Sequence, residues 1–217
     1  MKLCKNSLLL YAVTDRSWLG KQSLYQQVEM ALQGGVTFVQ LREKELDSDS
    51  FLKEAVRLKE LCKNYHVPFI INDNVEIAIK TEASGVHIGQ SDMVLTKARK
   101  KLGSDKIIGV SVQNVEQALL AEKNGADYLG AGAVFATDTK TDAEYISYET
   151  LKEICSAVKI PVVAIGGINE SNINKLSGSG ICGVAVVSSI FAQNDITGAA
   201  VKLKKLANNI LKRSETE

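Results

Sequence analysis

Short apolar segments recur eight times along this chain, and this recurrence limits the folds open to it more than any other feature. They are rich in Val, Ile and Ala, and they lie at residues 8–13, 37–41, 68–71, 85–88, 106–110, 127–134, 161–165 and 183–187. They are continuous rather than alternating with polar residues, which is typical of parallel strands covered on both faces.

Segments with the apolar spacing of amphipathic helices lie between these strands. After the second strand, Phe51, Ala55 and Leu58 fall on one stripe, with Lys and Glu residues outside it. Glycines suited to a left-handed C-cap follow the helical segments, for example Gly125 after the fifth and Gly178 after the seventh. The pattern therefore predicts eight repeated strand–helix units.

Eight such units in 217 residues match an α/β fold of the (β/α)8 TIM-barrel type. An open doubly wound sheet usually has about five or six strands, so two units would be left over. The least regular helix is the fourth, whose basic run at residues 97–101 we interpret as a solvated outer face. No linker or low-complexity segment interrupts the pattern, and we expect a single domain over residues 1–217.

Bulk properties exclude several classes of partner. A net charge of +1 gives no reason to expect nucleic acid. No apolar run approaches the roughly 20 residues that span a bilayer, so we expect no membrane association. The four cysteines are scattered, without metal-ligand spacing, and indicate reduced thiols in a cytoplasmic protein. A homo-oligomer stays possible.

Charged and polar residues follow the predicted strands directly. In a TIM barrel these carboxyl ends of the strands form the active-site face. Arg42, Lys44 and Lys140 are three cations suited to phosphate oxygens. Asp73 and Asp92 offer hard oxygen ligands, and Mg²⁺ is usually held by one or two carboxylates together with substrate phosphates. The combination indicates a diphosphate bound with a metal ion.

A second group of residues suits a simpler phosphate. Gly166 and Gly167 follow strand 7, and Val187, Ser188 and Ser189 follow strand 8. In this fold a phosphate site commonly lies after these two strands, with backbone N–H donors. Two phosphorylated groups at one mouth suggest an enzyme that joins two substrates.

Each polar residue also has a structural alternative. Asp73 and Asp92 each precede a helix and are reasonable N-cap residues. Arg42 and Glu43 are neighbours that could form an ion pair on the rim. His87 reads better as a histidine satisfied by hydrogen bonds than as a metal ligand or a base. The joint occurrence of these residues at the strand ends favours a functional site over the separate structural roles.

These residues resemble the motifs of the thiamine-phosphate synthase (thiamine-phosphate pyrophosphorylase) family along nearly the whole chain. The matching segments are residues 40–44, 72–73, 85–90 with Asp92, 109–111, 130–132, 135–140, 166–168 and 187–189. Any one segment is modest evidence, but their order through all eight units is specific.

The resemblance implies that a hydroxymethylpyrimidine diphosphate condenses with a thiazole phosphate to give thiamine monophosphate and pyrophosphate. It implies a substrate site made of Gln40, Leu41, Arg42, Glu43, Lys44, Asn72, Ser111, Thr137, Asp138, Thr139, Lys140, Gly167, Val187 and Ser188. Within that set we expect Ser111, Lys140 and Arg42 to act in catalysis. Mg²⁺ is the implied cofactor, on Asp73 and Asp92. Because strand side chains alternate, Gln40, Arg42 and Lys44 share one direction and Glu43 takes the other.

Two groups of alternative functions use the same barrel. A thiazole tautomerase or a regulatory binding protein related to this family would keep the phosphate pocket, but we expect it to lose the diphosphate residues that this chain retains. A sugar-phosphate isomerase or epimerase needs a positioned acid–base pair, for which the sequence offers only His87 or Glu43 with an aspartate. The family resemblance favours the synthase.

Overall fold

The computed structural model describes residues 3–90, 93–137 and 145–214. Eight parallel strands close into a barrel in chain order, each paired with the next and the last with the first. The strands are β1 (Leu10–Val13), β2 (Phe38–Leu41), β3 (Phe69–Asn72), β4 (Gly85–Ile88), β5 (Ile107–Val112), β6 (Tyr128–Ala131), β7 (Val162–Ile165) and β8 (Gly183–Val186). The predicted TIM barrel is confirmed.

The helices surround the barrel. They are α1 (Leu24–Gln33), α2 (Ser48–Asn64), α3 (Val75–Lys80), α4 (Leu95–Leu102), α5 (Val115–Lys123), α6 (Tyr148–Ala157), α7 (Ser188–Phe191) and α8 (Ile196–Ser214). Three short 3-10 turns add to them, at Lys5–Leu8, Arg16–Trp18 and Ile173–Leu176. Within the described ranges, no helix is both long and apolar enough to cross a membrane.

The prediction of a helix after β7 is wrong, because a 3-10 turn, Ile173–Leu176, lies there instead. Side-chain amides divert the backbone there. Asn172 Nδ2 donates to the Gly167 carbonyl at 2.8 Å, and the Asn169 carboxamide accepts from Ser171 N at 2.9 Å. Such local bonds compete with helix formation. The unit after β8 instead contains two helices, of which α7 is the short extra one.

Several strand bounds also differ from the sequence prediction. Leu8 is buried but belongs to a 3-10 turn, because the Ser7 hydroxyl and N–H both bond back to the Cys4 carbonyl. At the other extreme, β5 continues to Val112, since Ser111 and Val112 pair with β6. The sixth strand ends at Ala131, three residues before the predicted end at Val134.

Strand side chains alternate between two apolar cores. One core lies between the barrel and the helices and includes Leu10, Val39 and Leu41. The other fills the barrel and includes Tyr11, Val13, Phe38, Ile70, Ile107, Tyr128, Val163 and Ala185. Continuous apolar strands are thus explained by burial on both faces. Inside the barrel, the rings of Tyr11, Phe38 and Tyr128 meet edge to face with centroids 4.7–6.1 Å apart.

All four cysteines are free thiols. Burial raises the pKa of the Cys62, Cys155 and Cys182 thiols to about 12. These three side chains therefore remain protonated, as expected for cysteines that fill space.

Candidate active site

Arg42 is held at the carboxyl ends of the strands, which we call the upper rim. It follows β2, and its Nη1 donates to the Asp15 carboxylate just after β1 at 2.8 Å. The Arg42 N–H also donates to Thr14 Oγ1 at 3.0 Å. The guanidinium is thus fixed over the rim by Asp15, 27 positions away in the chain, with a quarter of its side chain exposed.

Lys44 and Asp73 meet on the same rim. The Lys44 ammonium donates to Asp73 Oδ2 at 2.8 Å, so a predicted phosphate-binding cation touches a predicted metal ligand. Asp73 has φ +60°, a left-handed conformation that few non-glycine residues adopt. The backbone is anchored there because the Asp73 N–H donates to the His87 carbonyl at 2.8 Å.

The alternative that Asp73 caps a helix is wrong. Asn74 holds that position, and its side chain accepts from Ile77 N at 3.0 Å. For the fourth helix, Val94 occupies the N-cap position that we considered for Asp92. Asp92 itself lies outside the described residues, as do Asp138, Thr139 and Lys140.

The alternative Arg42–Glu43 ion pair is also wrong. Glu43 turns away from Arg42, with only 2% of its side chain exposed, and pairs with Arg16. Arg16 also reaches the Glu54 carboxylate at 3.1 Å. Burial alone lowers the pKa of Arg16, but the bonds and charges of Glu43 and Glu54 outweigh it and raise that pKa.

The second oxygen of Glu43 accepts from two backbone N–H groups, of Lys44 at 3.0 Å and Glu45 at 3.2 Å. The carboxylate therefore shapes the loop that carries Lys44. This agrees with the expectation that Glu43 faces opposite to Gln40, Arg42 and Lys44. Leu41 is completely buried in the core outside the barrel, so its side chain does not reach the rim.

Polar side chains occupy the top of the barrel interior. Gln40 is buried and its Nε2 donates to the Tyr11 hydroxyl at 2.6 Å. Ser111, near the end of β5, has its Oγ 2.9 Å from His87 Nε2. Burial raises the pKa of the Tyr11 and Tyr128 hydroxyls well above the usual value, so both tyrosines are neutral.

His87 is 7% exposed and both of its ring nitrogens are hydrogen-bonded, Nδ1 to Tyr128 at 2.8 Å and Nε2 to Ser111. These contacts support the interpretation of His87 as a satisfied histidine. Asn72, the last residue of β3, is half-buried and pairs in register with His87. It therefore lies beside this group at the upper rim.

The predicted phosphate loop also lies at the upper rim. Gly167 has φ +64°, and a Cβ there would come within 2.2 Å of the Ala136 carbonyl oxygen. The close approach brings the chain after β7 against the segment that leads to Thr137, which is half-buried. Val187 is the N-cap residue of α7 and Ser188 its first residue, while the Ser189 hydroxyl bonds to the Ile168 carbonyl. Gly167, Val187 and Ser188 are thus brought together across β7 and β8.

Sequence reasoning missed three residues that position this site. They are Asp15, which holds Arg42, and the tyrosines Tyr11 and Tyr128, which connect Gln40 to His87. Asp15 carried a signal, since only Thr14 separates it from the end of an apolar strand. The tyrosines carried none, because an aromatic residue within a buried strand usually marks core packing.

A closed parallel barrel with cations gathered at the carboxyl ends of its strands defines a TIM-barrel protein of the enzymatic type. The family model described as thiamine monophosphate synthase matches residues 10–190. The chain belongs to this family, and the resemblance inferred from its motifs is confirmed. Membership makes the chain a transferase of thiamine biosynthesis.

Relatives with this name match almost the full chain. The thiamine-phosphate synthase of Clostridium acetobutylicum is 50% identical over 208 residues, which are 96% of this chain and 97% of that protein. That of Clostridium beijerinckii is 50% identical over 195 residues, 90% of this chain and 93% of its own. Among solved structures, the thiamine phosphate pyrophosphorylase of Pyrococcus furiosus superposes with a TM-score of 0.89 at 39% identity, covering 95% of this chain and 98% of that one.

Proposed function

We propose that this chain condenses hydroxymethylpyrimidine diphosphate with a thiazole phosphate at its upper rim, with Mg²⁺ bound, to form thiamine monophosphate and pyrophosphate. The observation that carries the proposal is the contact between Lys44 and Asp73. It joins a cation for the diphosphate to a ligand for the metal, on the rim where TIM barrels carry their active sites.

The reaction exchanges one bond for another. The C–O bond between the pyrimidine methylene and the diphosphate breaks, and its electron pair leaves with the diphosphate. The thiazole nitrogen then donates its lone pair to the methylene carbon and forms the C–N bond. The amino group of the pyrimidine stabilises positive charge on that carbon, so departure can precede attack. This chain has to stabilise the leaving charge and align the nucleophile.

Arg42 and Lys44 act on the leaving diphosphate. Arg42 is oriented by Asp15, and the described ion pair uses its Nη1, while the planar guanidinium has further N–H donors for phosphate oxygens. Lys44 is 54% exposed and its flexible stem lets the ammonium follow the negative charge as it develops. Asn72 adds an amide beside them, and Lys140 a third cation.

The donor set at the upper rim fits magnesium. Asp73 contributes a partly exposed carboxylate, and its described bond to Lys44 involves Oδ2 only. Mg²⁺ is usually held by one or two carboxylates together with substrate phosphates. Asp73 and Asp92 would hold it. When bound, Mg²⁺ neutralises charge on the departing diphosphate.

The two organic rings are received by different parts of the rim. Ser111 and Gln40 contact the pyrimidine from the barrel interior, and Ser111 meets its amino-substituted edge. The thiazole phosphate takes the backbone of Gly167, Val187 and Ser188 together with Thr137 and Thr139, and Asp138 is a further residue of the substrate site. Leu41 and Glu43 support the β2 loop from behind.

We propose that the protein works in the cytoplasm. Four free thiols suit a reducing compartment, which supports a cytoplasmic location. We propose that residues 1–217 act as one catalytic domain, because no described part of the chain stands apart from the barrel and its helices.

The direct test is incubation with both precursors and Mg²⁺ while pyrophosphate and thiamine monophosphate are measured together. The expected result is equal release of the two products, with neither formed when one precursor is omitted. Pyrophosphate release that does not need the thiazole would mean hydrolysis and would remove the condensation from this protein.

A further inference from the structure

A chain of hydrogen bonds runs through the barrel interior from β2 to the end of β5. Gln40 Nε2 donates to the Tyr11 hydroxyl at 2.6 Å, and Tyr11 lies 2.9 Å from the Tyr128 hydroxyl. Tyr128 lies 2.8 Å from His87 Nδ1, and His87 Nε2 lies 2.9 Å from Ser111 Oγ. We call these five side chains the relay; it joins two residues of the pyrimidine site through three residues outside it.

Burial gives the relay one direction. Tyr11 and Tyr128 are at most 1% exposed, and a buried hydroxyl proton needs an acceptor. Because Tyr11 accepts from Gln40, its proton goes to Tyr128, whose own proton then goes to His87 Nδ1. An imidazole that accepts at Nδ1 carries its proton at Nε2, and it donates that proton to Ser111 Oγ.

The barrel keeps space for the two rings at the centre of the relay. Gly109 and Gly130 face the interior without a left-handed backbone. A Cβ at Gly109 would come within 2.1 Å of the Tyr128 ring, and one at Gly130 within 3.1 Å of His87 Cε1. A side chain at Gly109 or Gly130 would therefore crowd a ring of the relay, and glycine leaves each ring its place.

We propose that His87 is a positioning residue: as the Nε2–H tautomer set by Gln40, Tyr11 and Tyr128, it donates to Ser111 and fixes how that hydroxyl meets the pyrimidine. This role rests on the proposed function. Ser111 Oγ accepts the His87 proton with one lone pair, so its own proton and its second lone pair remain available for the substrate. The edge of a 4-aminopyrimidine offers an acceptor ring nitrogen beside a donor amino group, so the serine hydroxyl is oriented to recognise that edge.

The tautomer can be measured without substrate. The chain has only two histidines, so ¹⁵N-histidine labelling gives two imidazole patterns in a long-range ¹H–¹⁵N spectrum. His66 is exposed with φ +57°, which asparagine tolerates, so His66→Asn assigns the signals. The expected result is a protonated Nε2 and an unprotonated Nδ1 on His87. The opposite tautomer would overturn the proposal, even if the enzyme makes thiamine monophosphate.

Reversal of the relay is a second measurement. Gln40→Glu keeps the shape of the side chain but replaces the donor by acceptor oxygens, so each hydroxyl should turn round and His87 should become the Nδ1–H tautomer. An unchanged tautomer in this variant would show that Gln40 does not set the direction.

Steady-state kinetics of His87 variants distinguish a positioning role of this residue from a purely structural one. His87→Asn removes the donor at Nε2, and we expect KM for the pyrimidine diphosphate to rise about 10-fold, the value of one well-placed hydrogen bond, with KM for the thiazole unchanged. His87→Gln places an amide N–H near Nε2 and should restore most of the loss. In the background of Ser111→Ala, His87→Asn should have no further effect. Losses that multiply would assign His87 to core stability instead.

Discussion

Each end of the barrel holds an Arg–Asp pair, and the two pairs are used differently. At the upper rim Arg42 pairs with Asp15, and at the amino ends of the strands, the lower rim, Arg99 pairs with Asp127. The side chains of Arg42 and Arg99 are exposed to a similar degree, 26% and 22%. Exposure therefore does not distinguish the two arginines, but their hydrogen-bond partners do.

Arg99 is enclosed by acceptors. It donates to the carbonyls of Gly103 at 3.0 Å, Lys106 at 2.6 Å and Gly125 at 2.8 Å, besides the Asp127 carboxylate. These carbonyls belong to the loops before β5 and β6. The guanidinium thus joins two units of the barrel. Arg99 is the middle residue of the basic run at 97–101, which we interpreted as a solvated face of α4. For Arg99 that interpretation does not hold, because its guanidinium has a structural role.

Arg42 has a single described side-chain bond, to Asp15. Its other side-chain N–H groups have no described partner, and the same rim carries Lys44 and Asp73. A cation that is satisfied by backbone carbonyls stabilises a fold, whereas a cation held at one nitrogen keeps donors for a ligand. This agrees with the division of a TIM barrel into a stabilising lower face and a catalytic upper face.

The largest expected difference between the two rims is in their response to metal removal, which should affect turnover and not stability. With excess EDTA, after removal of any metal carried through purification, we expect turnover to fall more than about 100-fold because the leaving charge loses several kcal/mol of stabilisation. The melting temperature should change little, since the Arg99–Asp127 pair lies on the lower rim, away from the proposed ligand Asp73, and added Mg²⁺ should restore the rate. Full activity without metal contradicts the proposal, and unchanged metal dependence after Asp73→Asn with Asp92→Asn would free both aspartates from the metal site.

Removal of the upper arginine should affect chemistry. For Arg42→Ala we expect kcat/KM to fall about 100- to 1,000-fold, the usual cost of losing one donor to developing charge. Arg42→Lys should recover only part of this, because an ammonium lacks the planar fork. Steady-state kinetics with both substrates tests the prediction, and a wild-type rate in the alanine variant would place Arg42 outside the diphosphate site.

Removal of the lower arginine should affect stability. Arg99→Ala leaves Asp127 and three carbonyls without their donor, and we expect the free energy of unfolding to fall by about 2–4 kcal/mol. At this chain length that lowers the melting temperature by roughly 4–16 °C. The value of kcat/KM at 25 °C should stay within about twofold of wild type. Lost turnover with an unchanged melting temperature would reverse the assignment of the two rims.

Two lysines with similar exposure allow a matched comparison, with a smaller expected effect on kcat/KM. Lys44 and Lys101 are 54% and 48% exposed, and each pairs with one carboxylate, Asp73 and Glu76 respectively. Exposed pairs contribute about 0–1 kcal/mol, so neither Lys→Ala change should alter stability noticeably. We expect Lys44→Ala to lower kcat/KM about 10-fold or more, as loss of a charged phosphate contact does, and Lys101→Ala to leave it unchanged. Equal kinetics in the two variants would make Lys44 an ordinary surface lysine.

The smallest effect concerns the thiols. Cys182 directly precedes β8 at the lower rim, and burial raises its pKa to about 12, as it does for Cys62 and Cys155. At pH 8 only about one such thiol in ten thousand is ionised. Native protein should therefore react with iodoacetamide at the exposed Cys4 alone, and at all four cysteines after denaturation. Mass spectrometry counts the labels, and native labelling of Cys182 would show that the lower rim opens.

These pKa shifts also predict the direction of the pH dependence of stability. The folded thiols keep their protons up to about pH 12, whereas unfolded thiols ionise near their ordinary value. The free energy of unfolding should therefore be unaffected by these thiols below about pH 8.5 and fall as pH rises above it. Urea titrations at pH 7.5 and pH 10 measure the difference.

Much of the barrel could be predicted because its signals are local. A parallel strand buried on both faces is continuous and apolar, so the eight strands can be recognised from a few consecutive residues. The cap of α3 is less well marked, because Asn74 rather than the neighbouring Asp73 holds that position. The missing seventh helix shows the limit. There the side chains of Asn169 and Asn172 form hydrogen bonds within their own loop. The spacing of apolar residues does not predict such bonds.

The residue types of the candidate site were also readable from the sequence, because strand ends in this fold meet at one rim. Period-two alternation placed Gln40, Arg42 and Lys44 on one side and Glu43 on the other, and the contacts of Glu43 with Arg16 agree with that direction. What the alternation leaves open is which partner each side chain meets.

Most of the repeated strand–helix units, the family and the polar residues at the strand ends can be read from the order of residues along the chain. The pairs of Arg42 with Asp15 and of Lys44 with Asp73, and the relay that links Tyr11 to Tyr128 across 117 positions, follow only from the folded barrel. Local preferences act over a few residues, whereas hydrogen-bond partners are set by the register of neighbouring strands and by closure of the barrel.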